Sequence, residues 1–150
     1  NCPGQIVISG HTPAIMEAAE KAQKAGASRV VKLPVSAPFH CSLMQPAAEK
    51  LADHFSNIEL NEPLIPIISN VDAVANYSVD SVRQLLLRQV SSAVRWEESM
   101  LLAIDQGVTN VIEVGPGRVL SGLMRRINRR IKTFNMAIPS DLEKIAENYA

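Results

Sequence analysis

Aromatic side chains are scarce in this sequence of 150 residues, at 4%. That is too few to supply a row of base-stacking platforms, which argues against nucleic acid as a partner. Neither sign of charge predominates. Fifteen Lys and Arg balance fifteen Asp and Glu, so no chain-wide field draws the protein to nucleic acid or to an anionic membrane. No apolar run approaches the roughly 18 residues that cross a bilayer. Asn1-Cys2-Pro3-Gly4 lacks the charged-then-apolar form of a secretory signal and carries no initiator Met, so a fragment of a longer protein is expected. The two cysteines, Cys2 and Cys41, have neither metal-ligand spacing nor the density of a disulfide scaffold; a cytoplasmic protein without a metal site is expected.

Apolar residues make up 47% of the chain and charged residues 20%, which is enough to bury a core. Residues 5–9 are β-rich and read as a strand ended by Gly10. Thr12-Pro13 reads as an N-cap followed by the first helical position. Ile15, Ala18, Ala19 and Ala22 keep helical spacing up to Gly26. Residues 29–33 read as the next strand, closed by Pro34. Beyond a loop bounded by Pro34 and carrying Pro38, Leu43, Ala47, Leu51 and Phe55 mark a helix. A strand over 64–69, helices over 80–90 and 95–106, a strand over 110–114, a helix over 119–130 and a strand over 132–138 follow. Ser140 and Glu143 suggest a capping box for a last helix. Strands alternating with helices from Leu64 onward predict an α/β fold with a parallel sheet covered on both faces.

His40 is the leading candidate for chemistry. It ends the loop Ser36-Ala37-Pro38-Phe39, where a strand gives way to a helix, and ligands in α/β proteins gather at such strand ends. Imidazole takes and returns protons near neutral pH. A structural or exposed histidine is the competing reading for a lone loop imidazole. His11, beside a helix cap, and His54, late in a helix, are read as solvent-facing.

Five blocks, in order, resemble malonyl-CoA:acyl-carrier-protein transacylases. They are residues 1–10, NCPGQIVISG; residues 34–44, PVSAPFHCSLM; residues 68–72, ISNVD; Arg88-Gln89 with Val94-Arg95-Trp96; and residues 113–123, EVGPGRVLSGL. The resemblance runs from Asn1 to about Asn128. It implies that residues 1–35 are part of a small ferredoxin-like subdomain and that 36–150 are the C-terminal part of a hydrolase-like parallel-sheet domain. It also implies ping-pong acyl transfer: a serine in a G-x-S-x-G elbow attacks malonyl-CoA, and histidine serves first as base and then as acid. The acceptor is the phosphopantetheine thiol of acyl carrier protein, in fatty-acid synthesis, with no cofactor. His40 falls on the family's histidine. Gln89 falls on the residue whose backbone carbonyl orients that imidazole; a polar residue near a helix end is the alternative.

The nucleophile elbow is missing, since no G-x-S-x-G occurs in the sequence. The family's carboxylate-binding arginine and oxyanion glutamine also lie upstream, so the chain is expected to act only with an absent N-terminal half. A polyketide-synthase acyltransferase domain and a non-catalytic fragment that binds a carrier protein are the competing functions. Phe39, just before His40, would crowd an α-methyl group and so favour malonyl over methylmalonyl, or else it packs in the core. Asn1 and Asn70 either line the pocket or are structural. No acidic residue lies between Gly115 and Ser140. There Arg118, Arg125, Arg126, Arg129 and Arg130 either dock acidic carrier protein or coenzyme A phosphates, or form a solvated helix face, with two i,i+4 pairs on adjacent faces.

Overall fold

The computed structural model describes residues 1–147. These form two compact units, one over Val7–Arg95 and one combining Asn1–Ile6 with the residues from Trp96 onward. This is a different partition from the division at residues 35 and 36, which the resemblance defines on complete proteins.

The Val7–Arg95 unit begins with α1 (Thr12–Lys24). Its N-cap is His11 rather than the expected Thr12, because the His11 carbonyl already accepts the Ile15 N–H at 3.0 Å and so opens the helical ladder. A 3-10 turn (Ser42–Met44) leads into α2 (Gln45–Phe55), where Pro46 sits in the first turn and forfeits no intrahelical bond. Helix α2 packs against α3 (Val79–Ser91), with Ala48 and Leu85 buried. Arg83 of α3 donates to the carbonyls of Phe55 and Ile58, satisfying acceptors at and just past the end of α2.

Three strand expectations in this half of the chain need correction. Residues 5–9 and 29–33 lie in no ladder beyond a single bridge between Cys2 and Gln5. Their apolar side chains stand open, Ile6 at 87% exposure and Val31 at 55%. A helix satisfies its own backbone, but an extended segment needs a neighbouring strand, and the described residues bring none to either run. The strand expected over 64–69 shrinks to β1 (Ile67–Ile68), because Pro63 and Pro66 offer no N–H to a ladder. It pairs with β2 (Ala75–Asn76), an element the sequence pattern did not mark, and the pairing is antiparallel, with Ile67 opposite Asn76. The turn between them is held by side chains. Asp72 Oδ1 accepts the Val74 N–H, and Asn76 Nδ2 donates to the Val74 carbonyl at 2.8 Å.

The other unit carries α4 (Trp96–Asp105), β3 (Asn110–Val114), α5 (Val119–Ile127), β4 (Lys132–Met136) and α6 (Asp141–Glu147). Strands β3 and β4 are parallel, with Asn110 opposite Lys132 and Val114 opposite Met136. Helix α5 is the crossover between them and packs on both. Cys2, Met124, Ile131 and Ile145 are the buried apolar residues among the described residues of this unit. The Gly115-Pro116-Gly117 turn reverses the chain at backbone φ of 124° and 96°, which side-chain-bearing residues rarely adopt.

That turn lets Glu113 at the end of β3 reach back to the start of α5. Its carboxylate accepts the N–H groups of Leu120 (3.0 Å) and Ser121 (2.8 Å), the Ser121 hydroxyl (2.7 Å) and Asn135 Nδ2 (3.0 Å). Burial pushes the Glu113 carboxyl upward. The bonds from Ser121, Leu120 and Asn135 outweigh it and bring the pKa down to about 2. The helix N-terminus is thus capped by an anion from the preceding strand.

Two further details differ from expectation. Helix α5 ends at Ile127 rather than Arg130, because extended Asn128 breaks it and Asn128 Oδ1 accepts the Arg130 N–H at 2.9 Å. At the start of α6 the carboxylate of Asp141 reaches back to the preceding turn, in place of the expected Ser140–Glu143 box. It accepts the N–H groups of Ala137 and Ile138, which lower the Asp141 pKa.

Candidate functional site

The loop leading to His40 is fixed by hydrogen bonds that start on its own backbone. Cys41 Sγ lies 3.2 Å from the Pro38 carbonyl, and the Phe39 carbonyl accepts the Ser9 hydroxyl at 2.6 Å. The His40 N–H donates to the Val90 carbonyl at 3.3 Å. Val90 lies in the last turn of α3, where carbonyls lack partners within the helix and are free to accept from elsewhere.

The neighbouring carbonyl, that of Gln89, takes the imidazole. His40 Nδ1 lies 2.9 Å from it. A carbonyl can only accept, so Nδ1 carries a proton, and in the neutral ring Nε2 is then the nitrogen that keeps its lone pair. His40 is exposed, so that lone pair sits on a ring open to a reactant. Such a ring can take a proton from a hydroxyl and later return it. His40 has backbone φ of 64°, in the left-handed region that non-glycine residues seldom occupy. Strain of this kind persists only where surrounding bonds hold it.

Phe39, Gln89 and His40 therefore come together. Phe39 is 48% exposed, so its ring is not part of a packed core in this chain. A small, mainly apolar crevice lies between β1 and α3, its lining including Ile67, Ser69, Val82, Leu85, Leu86 and Gln89. Asn70 opens the turn after β1. Its carbonyl accepts the Arg95 N–H at 2.7 Å, and no hydrogen bond joins it to His40. Asn1 lies in the other unit, as do all five arginines.

Arg118 occupies the N-cap position of α5 and Arg125 and Arg126 its last turn. Arg129 and Arg130 lie past the helix end, so the two expected i,i+4 pairs do not form, although all five side chains are exposed. Arg126 also reaches Gln5 Oε1 at 3.4 Å. Sequence reasoning missed Ser9 and Val90 as parts of the His40 loop. The Ser9-Gly10 pair was visible as part of a block, but nothing in its spacing points 30 residues downstream.

The mixed α/β fold with its parallel strand pair is that of acyl-carrier-protein malonyl transacylases, as structural comparison shows. The chain superposes with a TM-score of 0.86 and 39% identity on the malonyl-transacylase in a complex with its type II PKS acyl-carrier protein, covering 93% of this chain and 45% of that one. Against acyl-carrier-protein-S-malonyltransferase from Bartonella henselae the TM-score is 0.87 at 37% identity, over 93% of this chain and 44% of that one. In sequence, the chain is 46% identical over 143 residues to the malonyl CoA-acyl carrier protein transacylase of Bacillus subtilis (strain 168), covering 95% of this chain and 45% of that protein. No family model matches. The chain is homologous to the C-terminal part of malonyl CoA-acyl carrier protein transacylases and spans about 41–48% of the length of curated relatives of that name.

Proposed function

We propose that the complete protein transfers malonyl from malonyl-CoA to the phosphopantetheine thiol of acyl carrier protein, with His40 as its proton carrier. The observation that carries this reading is the bond from His40 Nδ1 to the Gln89 carbonyl, which leaves Nε2 free on an exposed ring. In the first half-reaction a serine outside this chain loses its proton to Nε2 and attacks the thioester carbonyl. The tetrahedral intermediate collapses, the carbon–sulfur bond breaks, and the coenzyme A thiol leaves with the proton from His40. The second half-reaction runs the same steps in reverse, with the carrier thiol as nucleophile. Gln89 acts through its main chain, fixing the tautomer as an orienting acceptor does in serine–histidine centres.

Phe39 sets the acyl preference by narrowing the space beside the α-carbon, and Asn70 and Asn1 are each assigned to substrate binding in the complete protein. The exposed arginines 118, 125, 126, 129 and 130 dock the acidic carrier protein. Residues 1–35 belong to the small subdomain of the complete protein and 36–150 to the large one. The open apolar runs at 5–9 and 29–33 support this, since each needs strands that the rest of the protein would bring. The chain alone does not turn over. The complete enzyme works in the cytoplasm, a reading compatible with the lack, among the described residues, of any helix long and apolar enough to cross a membrane.

The test is His40→Ala in the complete protein. Malonyl transfer to carrier protein is expected to vanish while far-UV circular dichroism stays native. Turnover within a few-fold of wild type would overturn the assignment.

A further inference from the structure

One peptide group in the His40 loop is held at both ends. The amide joining Phe39 to His40 accepts the Ser9 hydroxyl on its carbonyl at 2.6 Å and donates its N–H to Val90 at 3.3 Å. A peptide group is a stiff plane. Bonds at its two ends fix the orientation of that plane, and the Gln89 contact holds the imidazole on the far side of the next bond, the N–Cα bond of His40. Rotation about that bond is the φ angle, 64° at His40.

Released from these bonds, a residue with a Cβ relaxes toward negative φ. The rotation would carry the imidazole away from the Gln89 carbonyl 2.9 Å from its Nδ1. The Val90 and Gln89 contacts are both main-chain and come with the end of α3. The Ser9 contact is the side-chain bond to this peptide, and it spans 30 residues of sequence.

We infer that Ser9 is a positioning residue for proton transfer: its hydroxyl clamps the Phe39–His40 peptide, holds His40 in its left-handed conformation and so keeps Nδ1 on Gln89 and Nε2 facing the reactants. The inference rests on the reading of His40 as proton carrier. Ser9 touches neither substrate nor the reacting atoms in this role, so its removal should lower kcat and leave substrate affinity alone.

The test uses the complete transacylase with Ser9→Ala and Ser9→Thr, each measured for malonyl transfer and by NMR of protein labelled with nitrogen-15 at histidine. His40→Ala identifies the His40 ring signal among the three histidines. Ser9→Ala is expected to lower kcat about threefold to tenfold, the range supported by one lost neutral hydrogen bond, with KM for malonyl-CoA within about twofold of wild type. It should also speed exchange of the His40 Nδ1–H with water. Ser9→Thr, which keeps the hydroxyl, should restore both. Should Ser9→Ala fail to fold, Ser9→Cys, a weaker donor of similar size, is read instead. Wild-type kcat with an unchanged ring N–H, or a kcat loss that leaves the ring N–H as in wild type, would overturn the role of Ser9. If His40→Ala itself remains active, the proton-carrier reading has failed, and the ring N–H measurement still reports whether Ser9 positions the loop.

Discussion

Glu113 should make the unit that holds β3, α5 and β4 sensitive to acid. The substitution Glu113→Gln keeps the side-chain shape and removes the charge. A carboxamide offers one accepting oxygen where the carboxylate offers two. If that oxygen serves Ser121 and Asn135, the amide nitrogen faces the Leu120 N–H, donor against donor. The shift of the pKa from 4.5 to about 2 sets an upper bound of about 3 kcal/mol, at about 1.36 kcal/mol per unit. The carboxylate is only part-buried, and solvent screening reduces the figure to about 1–2 kcal/mol. The folded pKa lies below the unfolded value. This contribution is therefore fully present above about pH 4.5 and is lost as pH falls toward about 2. The assay is urea denaturation of the complete protein and its Glu113→Gln variant, followed by circular dichroism between pH 7 and pH 3. The variant should be less stable at pH 7, and the gap should narrow below about pH 4.5. Equal stability at pH 7, or a gap that does not change with pH, would refute the reasoning.

Two more outcomes are expected in the complete protein. Phe39→Ser opens space beside the acyl α-carbon and should raise the use of methylmalonyl-CoA relative to malonyl-CoA about tenfold, since one methyl group in a pocket is worth about 1–3 kcal/mol; unchanged competition between the two thioesters would count against it. The double change Arg125→Glu with Arg129→Glu should raise KM for carrier protein roughly tenfold at low salt, weaken its dependence on ionic strength, and spare KM for malonyl-CoA. An unaltered carrier-protein KM would remove these arginines from the docking surface.

Local signals served well where an element stands on its own bonds. Apolar spacing in α1 and α2, the helix range 80–90 and the β-rich run 110–114 correspond to the observed elements within a few residues. Errors cluster where a partner decides the outcome. Residues 5–9 and 29–33 have strand composition, yet a ladder needs a second strand. Strand β2 was missed because Ala75 and Asn76 are poor strand formers recruited by the Asp72 turn. The extent of α5 was overestimated because Arg129 and Arg130 favour helix, whereas the Asn128 side chain caps a turn. At the candidate site, His40 stands out by its place in a loop between a strand and a helix and Gln89 by the family resemblance, and the structure sets them in contact. The Ser9 tether was not legible, because a bond between a hydroxyl and a distant carbonyl leaves no period in the sequence.

The backbone angle at position 40 also carries a message about selection. If folding alone were at stake, glycine would be the favoured occupant there, easing the local conformation by about 1 kcal/mol. Random drift toward a sturdier loop would thus erase the imidazole first, and a degenerate copy of this gene should betray itself by a glycine in that place.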